Sequence, residues 1–357
     1  MKRVAIIGIQ GVPARYGGFE SLVENLLHGE VAQSDIEYTV FCSSKDMPER
    51  LLRYKGATLK YVPLHANGIQ SISYDIISML RALRGYDNLL ILGVSGCIML
   101  PLIKLFTRSR IIVNIDGLEH RRDKWNRAAK WFLRQSEAVA VRCADTIVTD
   151  NRGIKDYVTA TYGKESELIA YGGDHVLRDV PQARQGNILA EYGLRHGEYA
   201  MSVCRIEPEN NCHISLEAMA ECGKSFVFIG NWDKSDYGRT LKAKYAAFDN
   251  IHILDAIYDL DILYTLRANA GLYIHGHSAG GSNPSLIEAM FFDCAIAAYD
   301  VIYNRATTDN LAAYYSDSRS LAAMVADGIK PNVAIKRFAL DNYKWEHIAR
   351  QYESLYR

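Results

Sequence analysis

Short apolar runs alternate with amphipathic stretches along the whole chain. Apolar and β-branched residues fill seven short segments of the first half: 3–9, 38–43, 58–64, 88–94, 110–116, 146–150 and 166–172. Between them, stretches such as GFESLVENLLHG and SYDIISMLRALRG carry apolar residues every three or four positions, which predicts helices. Strands that are apolar on both faces and alternate with helices predict a parallel sheet covered on both sides.

A second series of the same kind follows. Five further strands are predicted at YAMSVCR, SFVFIGN, IHILD, AGLYIHG and CAIAAYD, again separated by helical patterns. The polar stretch 172–186, with its Gly and Pro residues, is typical of a connection between two α/β domains.

We therefore predict an α/β protein of two Rossmann-like domains that face each other across a cleft. The N-terminal domain is expected to span residues 1–175, the C-terminal domain 176–340 and a final helix 341–357. We expect this helix to pack back on the N-terminal domain. Its apolar face is formed by Trp345, Ile348, Tyr352 and Leu355.

Composition narrows the class of protein. The chain has 357 residues, 49% of them apolar, and 41 basic residues balance 41 acidic ones, which is typical of a globular protein and gives no general argument for nucleic-acid binding. No run of about 18 apolar residues predicts a transmembrane helix. The opening MKRVAIIGIQG has a short apolar run that leads directly into a glycine loop, with no cleavage-site pattern. This is typical of a first strand and not of a signal peptide. Seven cysteines without a CxxC pair indicate reduced thiols, as in a cytoplasmic protein.

The first strand leads into a glycine-rich loop, GVPARYGGFE. In parallel sheets such loops expose backbone N–H groups beside a helix N-terminus, where anionic ligands bind. The sequence contains neither the GxGxxG dinucleotide pattern at this place nor a GK[ST] phosphate loop. Gly17 and Gly18, flanked by Arg15 and Glu20, still predict a ligand-binding loop. The alternative is a turn that needs glycine only for its backbone angles.

The stretch YIHGHSAGGSNPSLIEAM repeats this order of strand, glycine loop and helix. Ser282 or Asn283 is suited to cap the helix, and Pro284 to its first turn. Glu288 lies one turn into the helix, where its carboxylate can accept hydrogen bonds from sugar hydroxyls. Arg205, just after the strand YAMSVCR, is suited to bind a diphosphate.

Four segments, in order, resemble family 4 of the retaining glycosyltransferases with the GT-B fold, and more narrowly its bacterial rhamnosyltransferase-like subgroup. They are GVPARYGGFE, NIDGLEHRRDKW, CRIEPENN and HSAGGSNPSLIEAM, and the similarity extends over nearly the full length. It implies that the C-terminal domain binds a nucleotide-sugar donor, with dTDP-L-rhamnose as the co-substrate and no other cofactor, and that the N-terminal domain binds the acceptor. The predicted donor-binding residues are Gly17, Gly18, Arg205, Asn210, Gly280, Gly281, Ser282, Asn283 and Glu288.

Two positions depart from the family pattern. Glu288 matches the second glutamate of the Glu-x7-Glu motif, which holds the nucleotide ribose, but the first glutamate would fall at Gly280. Arg205 matches the arginine of the Arg-x4-Lys phosphate clamp, but Asn210 replaces the lysine. The rhamnosyl-like subgroup shares both changes, so we interpret them as a different donor preference. A 6-deoxy sugar, which lacks one hydroxyl, fits a site with fewer polar contacts.

Sugar transfer requires that the charge of the diphosphate be stabilised as the C–O bond breaks. The candidate catalytic residues are Asp116, at the end of a strand, Glu20 and Arg205. A cap is the alternative role for Asp116. Retention of configuration, which the family implies, needs no protein base because the departing phosphate takes the acceptor proton. Inversion would need a carboxylate or histidine at the acceptor hydroxyl. No suitably placed DxD motif indicates a metal, so none is expected.

The segment HRRDKWNRAAKWFLRQ combines basic and aromatic side chains on a predicted helix. Such helices bind membrane surfaces, and the acceptor of the family is often a lipid-linked sugar diphosphate. The alternative is a solvated charged face with aromatic residues in the core. The residues assigned to the acceptor or the membrane are Arg15, Glu119, His120, Arg121, Arg122, Lys124 and Trp125.

These features predict a glycosyltransferase that moves L-rhamnose from dTDP-L-rhamnose to a saccharide acceptor on a polyprenyl diphosphate, in the synthesis of a bacterial surface polysaccharide such as O-antigen or capsule. The expected location is the cytoplasm, peripherally on the inner membrane, with no nucleic-acid partner. Three alternatives remain: the same fold with a UDP- or GDP-sugar, a sugar-nucleotide epimerase, and a non-enzymatic, degenerate transferase.

Overall fold

The computed structural model describes residues 1–14, 17–27, 35–115, 117–122 and 125–356. The chain divides into two compact units, one formed by Met1–Tyr171 with Trp345–Arg357 and the other by Gly172–Lys344. Each unit is an α/β structure around a parallel sheet, as the alternation of strand and helix patterns predicted. No helix of the described residues is both long enough and apolar enough to span a bilayer.

Strands and helices alternate along the described chain. The strands are β1 (Lys2–Ile7), β2 (Ile36–Ser43), β3 (Arg53–Tyr54), β4 (Ala57–Val62), β5 (Asn88–Leu92), β6 (Arg110–Asn114), β7 (Thr146–Thr149), β8 (Glu167–Leu168), β9 (Tyr199–Val203), β10 (Ser225–Ile229), β11 (Ile251–Leu254), β12 (Leu272–His275), β13 (Ala295–Tyr299) and β14 (Ala313–Tyr315). The α-helices are α1 (Gly18–Leu26), α2 (Gln70–Arg81), α3 (Leu100–Phe106), α4 (Arg127–Cys143), α5 (Arg152–Tyr162), α6 (Gln182–Glu191), α7 (Cys212–Cys222), α8 (Asp236–Tyr245), α9 (Leu260–Ala268), α10 (Pro284–Ala289), α11 (Ile302–Thr307), α12 (Ser318–Asp327), α13 (Val333–Asn342) and α14 (Trp345–Leu355).

The sheet of the N-terminal unit has the strand order β3-β4-β2-β1-β5-β6-β7-β8. Its strand pairs are parallel except for β3–β4, which is an antiparallel pair. Central strands such as β5 are buried at every position because helices cover both faces of the sheet. The two-residue strand β3 was not predicted, and the strand expected at 166–172 is confined to Glu167–Leu168.

The helix α14 belongs to the N-terminal unit, so the prediction that it packs back on this part of the chain is confirmed. The four residues of its predicted apolar face are buried: Trp345, Ile348, Tyr352 and Leu355. Asn114 Nδ2, at the end of β6, donates a hydrogen bond to Tyr352 Oη at 2.8 Å. Lys2 Nζ, at the start of β1, donates to the Tyr356 carbonyl oxygen at 2.9 Å.

The sheet of the C-terminal unit has the order β11-β10-β9-β12-β13-β14, and its strands are parallel. One of its faces is packed with aromatic side chains: the ring centres of Phe226 and Phe228 are 5.3 Å apart, and those of Phe228 and Trp232 are 5.0 Å apart. This core fixes β9 and its neighbours, and thereby the segments that follow their carboxyl ends.

Candidate functional site

Each sheet reverses its strand order at one point. In the N-terminal unit the chain runs outward from β1 through β2, and later outward from β5 through β6, so the reversal lies between β1 and β5. In the C-terminal unit it lies between β9 and β12. Open parallel sheets bind ligands at the carboxyl ends of strands beside such a reversal. The segments after these strands are therefore the candidate site of each unit.

In the C-terminal unit the segments after β9 and β12 are tied to each other. Asn211 Nδ2 donates to the Gly276 carbonyl oxygen at 2.9 Å, and His277 Nδ1 donates to Asn210 Oδ1 at 2.7 Å. A Cβ at Gly276 would lie 2.2 Å from the Asn210 carbonyl oxygen, so only glycine allows this approach. Asn210 is buried, and its Nδ2 donates to the Arg205 carbonyl oxygen at 2.7 Å. Asn210, predicted to bind the donor, thus braces both segments with its amide group.

Arg205 places an accessible cation on this surface. Its side chain is 35% exposed, and its guanidinium lies 3.7 Å from Glu209 Oε1, which is a loose ion pair. A guanidinium held in this way is available to a phosphate group, which it can bind through two parallel N–H donors.

The segment 280–283 connects β12 to α10. Gly280 has φ of +85°, which is in the left-handed region, and Gly281 follows it without a side chain. Ser282 is buried, and its Oγ lies 3.4 Å from Thr307 Oγ1. Asn283 Oδ1 accepts from Ser285 N at 3.0 Å and caps α10, one of the two caps that the sequence left open. The segment therefore contributes mainly backbone to this surface.

Glu288 lies within an ion-pair cluster inside the C-terminal unit. Its Oε2 pairs with Arg267, in the last turn of α9, and its Oε1 lies 3.4 Å from His175 Nε2. Burial raises the pKa of Glu288, but Arg267 and His175 outweigh burial and hold the pKa below its usual value. The carboxylate is therefore ionised at neutral pH, and 16% of the side chain is exposed.

Two buried nitrogen atoms of the C-terminal unit have no hydrogen-bond partner among the described residues. They are His275 Nε2 and Arg267 Nε. His275 is the last residue of β12, and burial lowers its pKa to about 3, so the ring is neutral. Buried polar atoms are nearly always hydrogen-bonded in folded proteins, so these two atoms are exceptions within this unit.

In the N-terminal unit the loop after β1 is held by the helix that follows it. Gln10 N donates to Glu20 Oε1 at 2.9 Å, and Ala14 N donates to Glu24 Oε2 at 3.0 Å. Both carboxylates belong to α1, one turn apart. Glu20, predicted to be catalytic, is 9% exposed and fixes the shape of the loop.

Gly17 and Gly18 allow α1 to begin close to its own carboxylate. Gly17 has φ of +117°, and a Cβ at this residue would lie 2.1 Å from Glu20 Oε2. Gly18 is the first residue of the helix. The alternative interpretation of this loop, a turn that requires glycine, thus has a physical basis in the structure, and the contact to a donor stays a prediction.

Two consecutive residues of α4 hold the segments that follow β5 and β6. Ser136 Oγ accepts from Ile98 N at 2.9 Å and donates to the Val94 carbonyl oxygen at 2.5 Å. Glu137 Oε2 lies 3.0 Å from His120 Nδ1, on the short turn after β6. The helix therefore positions both segments at the carboxyl edge of the sheet.

Glu137 is almost completely buried and accepts two more hydrogen bonds. Its Oε1 accepts from Tyr162 Oη at 2.7 Å and from Tyr157 Oη at 2.9 Å. Burial raises the pKa of Glu137, but the hydrogen bonds of His120 and Tyr162 outweigh burial and hold it below the usual value. Because the carboxylate accepts only, His120 Nδ1 must carry the proton of this hydrogen bond.

Four of the other residues assigned to the acceptor or the membrane hold the turn that carries His120. Glu119 Oε2 accepts from Trp125 Nε1 at 2.8 Å, and Glu119 Oε1 pairs with Arg122 at 2.6 Å. The Arg121 guanidinium lies 4.8 Å from the centre of the Tyr157 ring. These predicted residues thus lie together after β6.

Three predicted site residues, Asp116, Arg15 and Lys124, lie outside the described residues. Conversely, sequence analysis missed Arg267, His175 and Glu137. The only available signal was the position of Glu137 on the apolar face of α4, where Leu133, Ala140 and Val141 are buried. A charged residue on such a face indicates a buried hydrogen-bond partner.

The two parallel-sheet units have the GT-B fold, as comparison with solved structures shows. Sucrose-phosphate synthase from Thermosynechococcus elongatus aligns with a TM-score of 0.79 and 16% identity over 99% of this chain and 98% of that one. HepE from Anabaena, in complex with UDP, aligns with a TM-score of 0.78 and 12% identity over 99% of both chains. Starch synthase IV from Arabidopsis thaliana, bound to ADP and acarbose, aligns with a TM-score of 0.69 and 14% identity over 99% of this chain and 98% of that one.

The sequence itself has fewer matches. Residues 1–174 match the model of a family described as "Domain of unknown function (DUF1972)". No curated protein matches the chain. The family model thus matches slightly less than half of the chain, and the GT-B fold rests on the solved structures.

Proposed function

We propose that this protein is a glycosyltransferase that takes a sugar from a nucleoside-diphosphate sugar. The observation that carries the proposal is the surface formed after β9 and β12, where the accessible Arg205 lies on a segment braced against the 276–283 segment. A guanidinium and backbone N–H groups are the donors that stabilise the charge of a departing diphosphate. The structures of HepE with UDP and of starch synthase IV with ADP support a nucleoside diphosphate as the ligand class.

In the proposed reaction an acceptor hydroxyl oxygen forms a bond to the anomeric carbon of the donor. The bond from that carbon to the diphosphate breaks, and the electron pair leaves with the nucleoside diphosphate, whose charge Arg205 stabilises. With retention of configuration, the acceptor proton goes to a departing phosphate oxygen. Glu288 is assigned to the ribose hydroxyls, toward which its ionised and partly exposed carboxylate can act as acceptor.

Thermal unfolding with dTDP, UDP, GDP, ADP and NAD, each at saturation, tests this assignment. A ligand at about 100 times its Kd stabilises the folded state by about 2.7 kcal/mol, so we expect a clear rise in Tm with one of the nucleoside diphosphates. Arg205→Ala should remove most of this rise. Arg337→Ala, in an exposed ion pair of the same i,i+4 spacing on α13, is the matched control and should keep it. A rise in Tm with NAD alone would contradict the proposal.

For the donor sugar we propose L-rhamnose carried by dTDP. Gly280 stands where the resembled family has a glutamate that contacts sugar hydroxyls, and a 6-deoxy sugar needs fewer such contacts. Incubation with dTDP-L-rhamnose, UDP-glucose and GDP-mannose, followed by NMR analysis of the products, tests this choice. Release of dTDP at the highest kcat/KM is expected. An epimerised nucleotide sugar formed without acceptor would instead identify an epimerase.

For the acceptor we propose a saccharide on a lipid diphosphate, reached at the cytoplasmic surface of a membrane. Large apolar side chains are exposed on α3 and α4: Leu105 is 77% exposed, Phe106 65% and Trp131 66%. Arg127 and Arg134 are exposed on the same helix as Trp131. Aromatic and basic side chains together suit an anionic lipid surface.

Sedimentation with vesicles tests the membrane contact. Binding to vesicles that contain anionic phospholipid, but not to pure phosphatidylcholine, is expected, and Trp131→Ala with Arg134→Glu should abolish it. Phe248→Ala removes an exposed aromatic side chain of the C-terminal unit and is the control. Equal binding by all variants would contradict the assignment of this surface.

A further inference from the structure

We propose that Glu137, together with Tyr157 and Tyr162, positions His120 so that its Nε2 lone pair receives the hydrogen of the attacking acceptor hydroxyl. The inference rests on the proposed glycosyltransferase function. In this proposal His120 contacts the acceptor, and three other side chains hold the His120 ring in place.

The geometry around Glu137 fixes the orientation of the imidazole ring. A carboxylate that is 1% exposed is costly to bury unless its oxygen atoms accept hydrogen bonds. Here one oxygen accepts from His120 Nδ1 and the other from the hydroxyls of Tyr157 and Tyr162. If the imidazole turned away, Glu137 Oε2 would be buried without a hydrogen-bond donor. Because this is costly, the hydrogen bond restrains the orientation of the ring.

The same contact determines which ring nitrogen is protonated. Glu137 is held in its ionised form and can only accept, so Nδ1 donates and a neutral ring carries its lone pair on Nε2. Among the described residues, no hydrogen bond is made to Nε2. The His120 side chain is 12% exposed, so it is not sealed within the core.

The position of His120 agrees with a role at the acceptor. It follows β6, which is next to β5 in the sheet, and β5 borders the reversal of strand order. Ser136, adjacent to Glu137 on α4, ties the segment after β5 to the same helix. One helix thus holds His120 at the edge where ligands of such sheets bind.

In the reaction the acceptor hydroxyl donates its hydrogen to His120 Nε2, which directs an oxygen lone pair toward the anomeric carbon. The new C–O bond forms as the bond to the diphosphate breaks. The hydroxyl proton passes to His120 Nε2 as the new bond forms, while the Glu137 carboxylate offsets the charge of the imidazolium, and it passes from there to an oxygen of the departing diphosphate. His120 is the group that contacts the acceptor, whereas Glu137, Tyr157 and Tyr162 are positioning residues.

A second imidazole–carboxylate pair in the same unit provides a matched control. His65 Nδ1 lies 2.5 Å from Asp46 Oδ1, but the His65 side chain is 47% exposed. This pair connects the segments after β2 and β4, which lie on the opposite side of β1 from β5 and β6. Asp46→Asn therefore weakens a similar imidazole–carboxylate contact to which no catalytic role is assigned.

The first test is the tautomer of His120, read from the 15N shifts of the histidine rings in the full-length protein. His120→Gln identifies the signal. We expect protonated Nδ1 and unprotonated Nε2 in the wild-type protein, and a mixture of tautomers in Glu137→Gln, whose amide offers only one acceptor oxygen. A wild-type ring protonated at Nε2 would overturn the proposal.

The second test is the hydrolysis of dTDP-L-rhamnose and UDP-glucose, in which water replaces the acceptor hydroxyl. We expect Glu137→Gln to lower kcat about 10-fold and His120→Gln about 100-fold. The KM for the donor should not change, because the donor is assigned to the C-terminal unit. Glu137→Asp should restore part of the loss, and Asp46→Asn should behave as wild type.

These measurements distinguish the role of the Glu137 cluster from the proposed glycosyltransferase function. Wild-type kcat in Glu137→Gln, or an equal loss in Asp46→Asn, would overturn the role of this cluster while leaving a glycosyltransferase. A wild-type protein that neither hydrolyses the donors nor gains Tm with any nucleoside diphosphate would overturn the proposed function, and the role of His120 with it.

Discussion

The loops at the carboxyl edge of the N-terminal sheet and those at the same edge of the C-terminal sheet are held in place by different chemical groups. In the N-terminal unit, helix carboxylates accept hydrogen bonds from the loops. They are Glu20 and Glu24 below the loop after β1, Asp75 at Gly96 after β5, and Glu137 after β6. In the C-terminal unit, the side chains of Asn210, Asn211 and His277 connect one loop to the next.

The two edges also differ in the charged groups that they contain. At the N-terminal edge the carboxyl groups of α1, α2 and α4 are used up in holding the loops by accepting from backbone and imidazole nitrogen atoms. In the C-terminal unit Glu288 is balanced by Arg267, and Arg205 remains partly exposed, which suits an anion. Two units of the same α/β kind thus hold the loops after their strands by different chemical groups.

The largest expected effect comes from Glu288, the carboxylate that pairs with the buried Arg267. Glu288→Gln leaves the charge of Arg267, which is 4% exposed, without its partner, and we expect a loss of about 3–5 kcal/mol in the free energy of unfolding. Urea denaturation followed by tryptophan fluorescence measures it. The double variant Arg267→Met with Glu288→Met removes both charges and should recover most of the loss.

The pH dependence of stability provides a second measure of this ion pair. The pKa of Glu288 in the folded protein lies below its ordinary value of 4.5. Its contribution is therefore complete above pH 4.5 and is lost as the pH falls through the lower folded value. Wild-type protein should lose more stability than Glu288→Gln below about pH 4.5. Identical curves for the two proteins would refute the role of the ion pair.

A smaller effect of opposite sign is expected at the N-terminal edge. Burial raises the pKa of Asp75 from 3.8 to about 8, so this carboxyl favours folding when protonated, and its contribution is lost as the pH rises from about 4 to about 8. Asp75→Asn has no proton to lose. At pH 8 it should be more stable than wild type by about 1–3 kcal/mol, and the difference should shrink toward pH 4. Parallel stability curves would contradict this.

The smallest effect concerns the brace between the C-terminal loops. Asn210→Ala removes hydrogen bonds to His277 and to the Arg205 carbonyl oxygen, and we expect a loss of about 1–2 kcal/mol in stability. Asn342→Ala removes one local, exposed hydrogen bond on α13 and is expected to cost less than about 0.5 kcal/mol. If both variants unfold alike, the two edges are not held by different means.

Most of the strands, the division into two α/β series and the apolar face of α14 could be predicted from the sequence, because burial repeats with the period of a strand or a helix. The short strands β3 and β14 were not predicted. It also limited the cap of α10 to two residues. It did not reveal the partners of Glu288 or the cluster around Glu137. These contacts join residues from different elements of the chain, and the hydrophobic periodicity of a single strand or helix gives no information about them. For Glu20, glycine-rich context indicated a ligand, whereas its carboxylate serves the loop itself.

The return of α14 to the N-terminal unit has a consequence for the way the protein is made. On the ribosome, residues 1–171 emerge first. Asn114 Nδ2 can donate its hydrogen bond to Tyr352 Oη only after the whole segment 172–344 has been translated. At about 5–20 residues per second this takes on the order of 10 to 30 s. During that interval the surface of α1 against which α14 packs is uncovered, while the C-terminal unit is continuous and can complete its own sheet. The first unit to be synthesised is therefore the last to be finished.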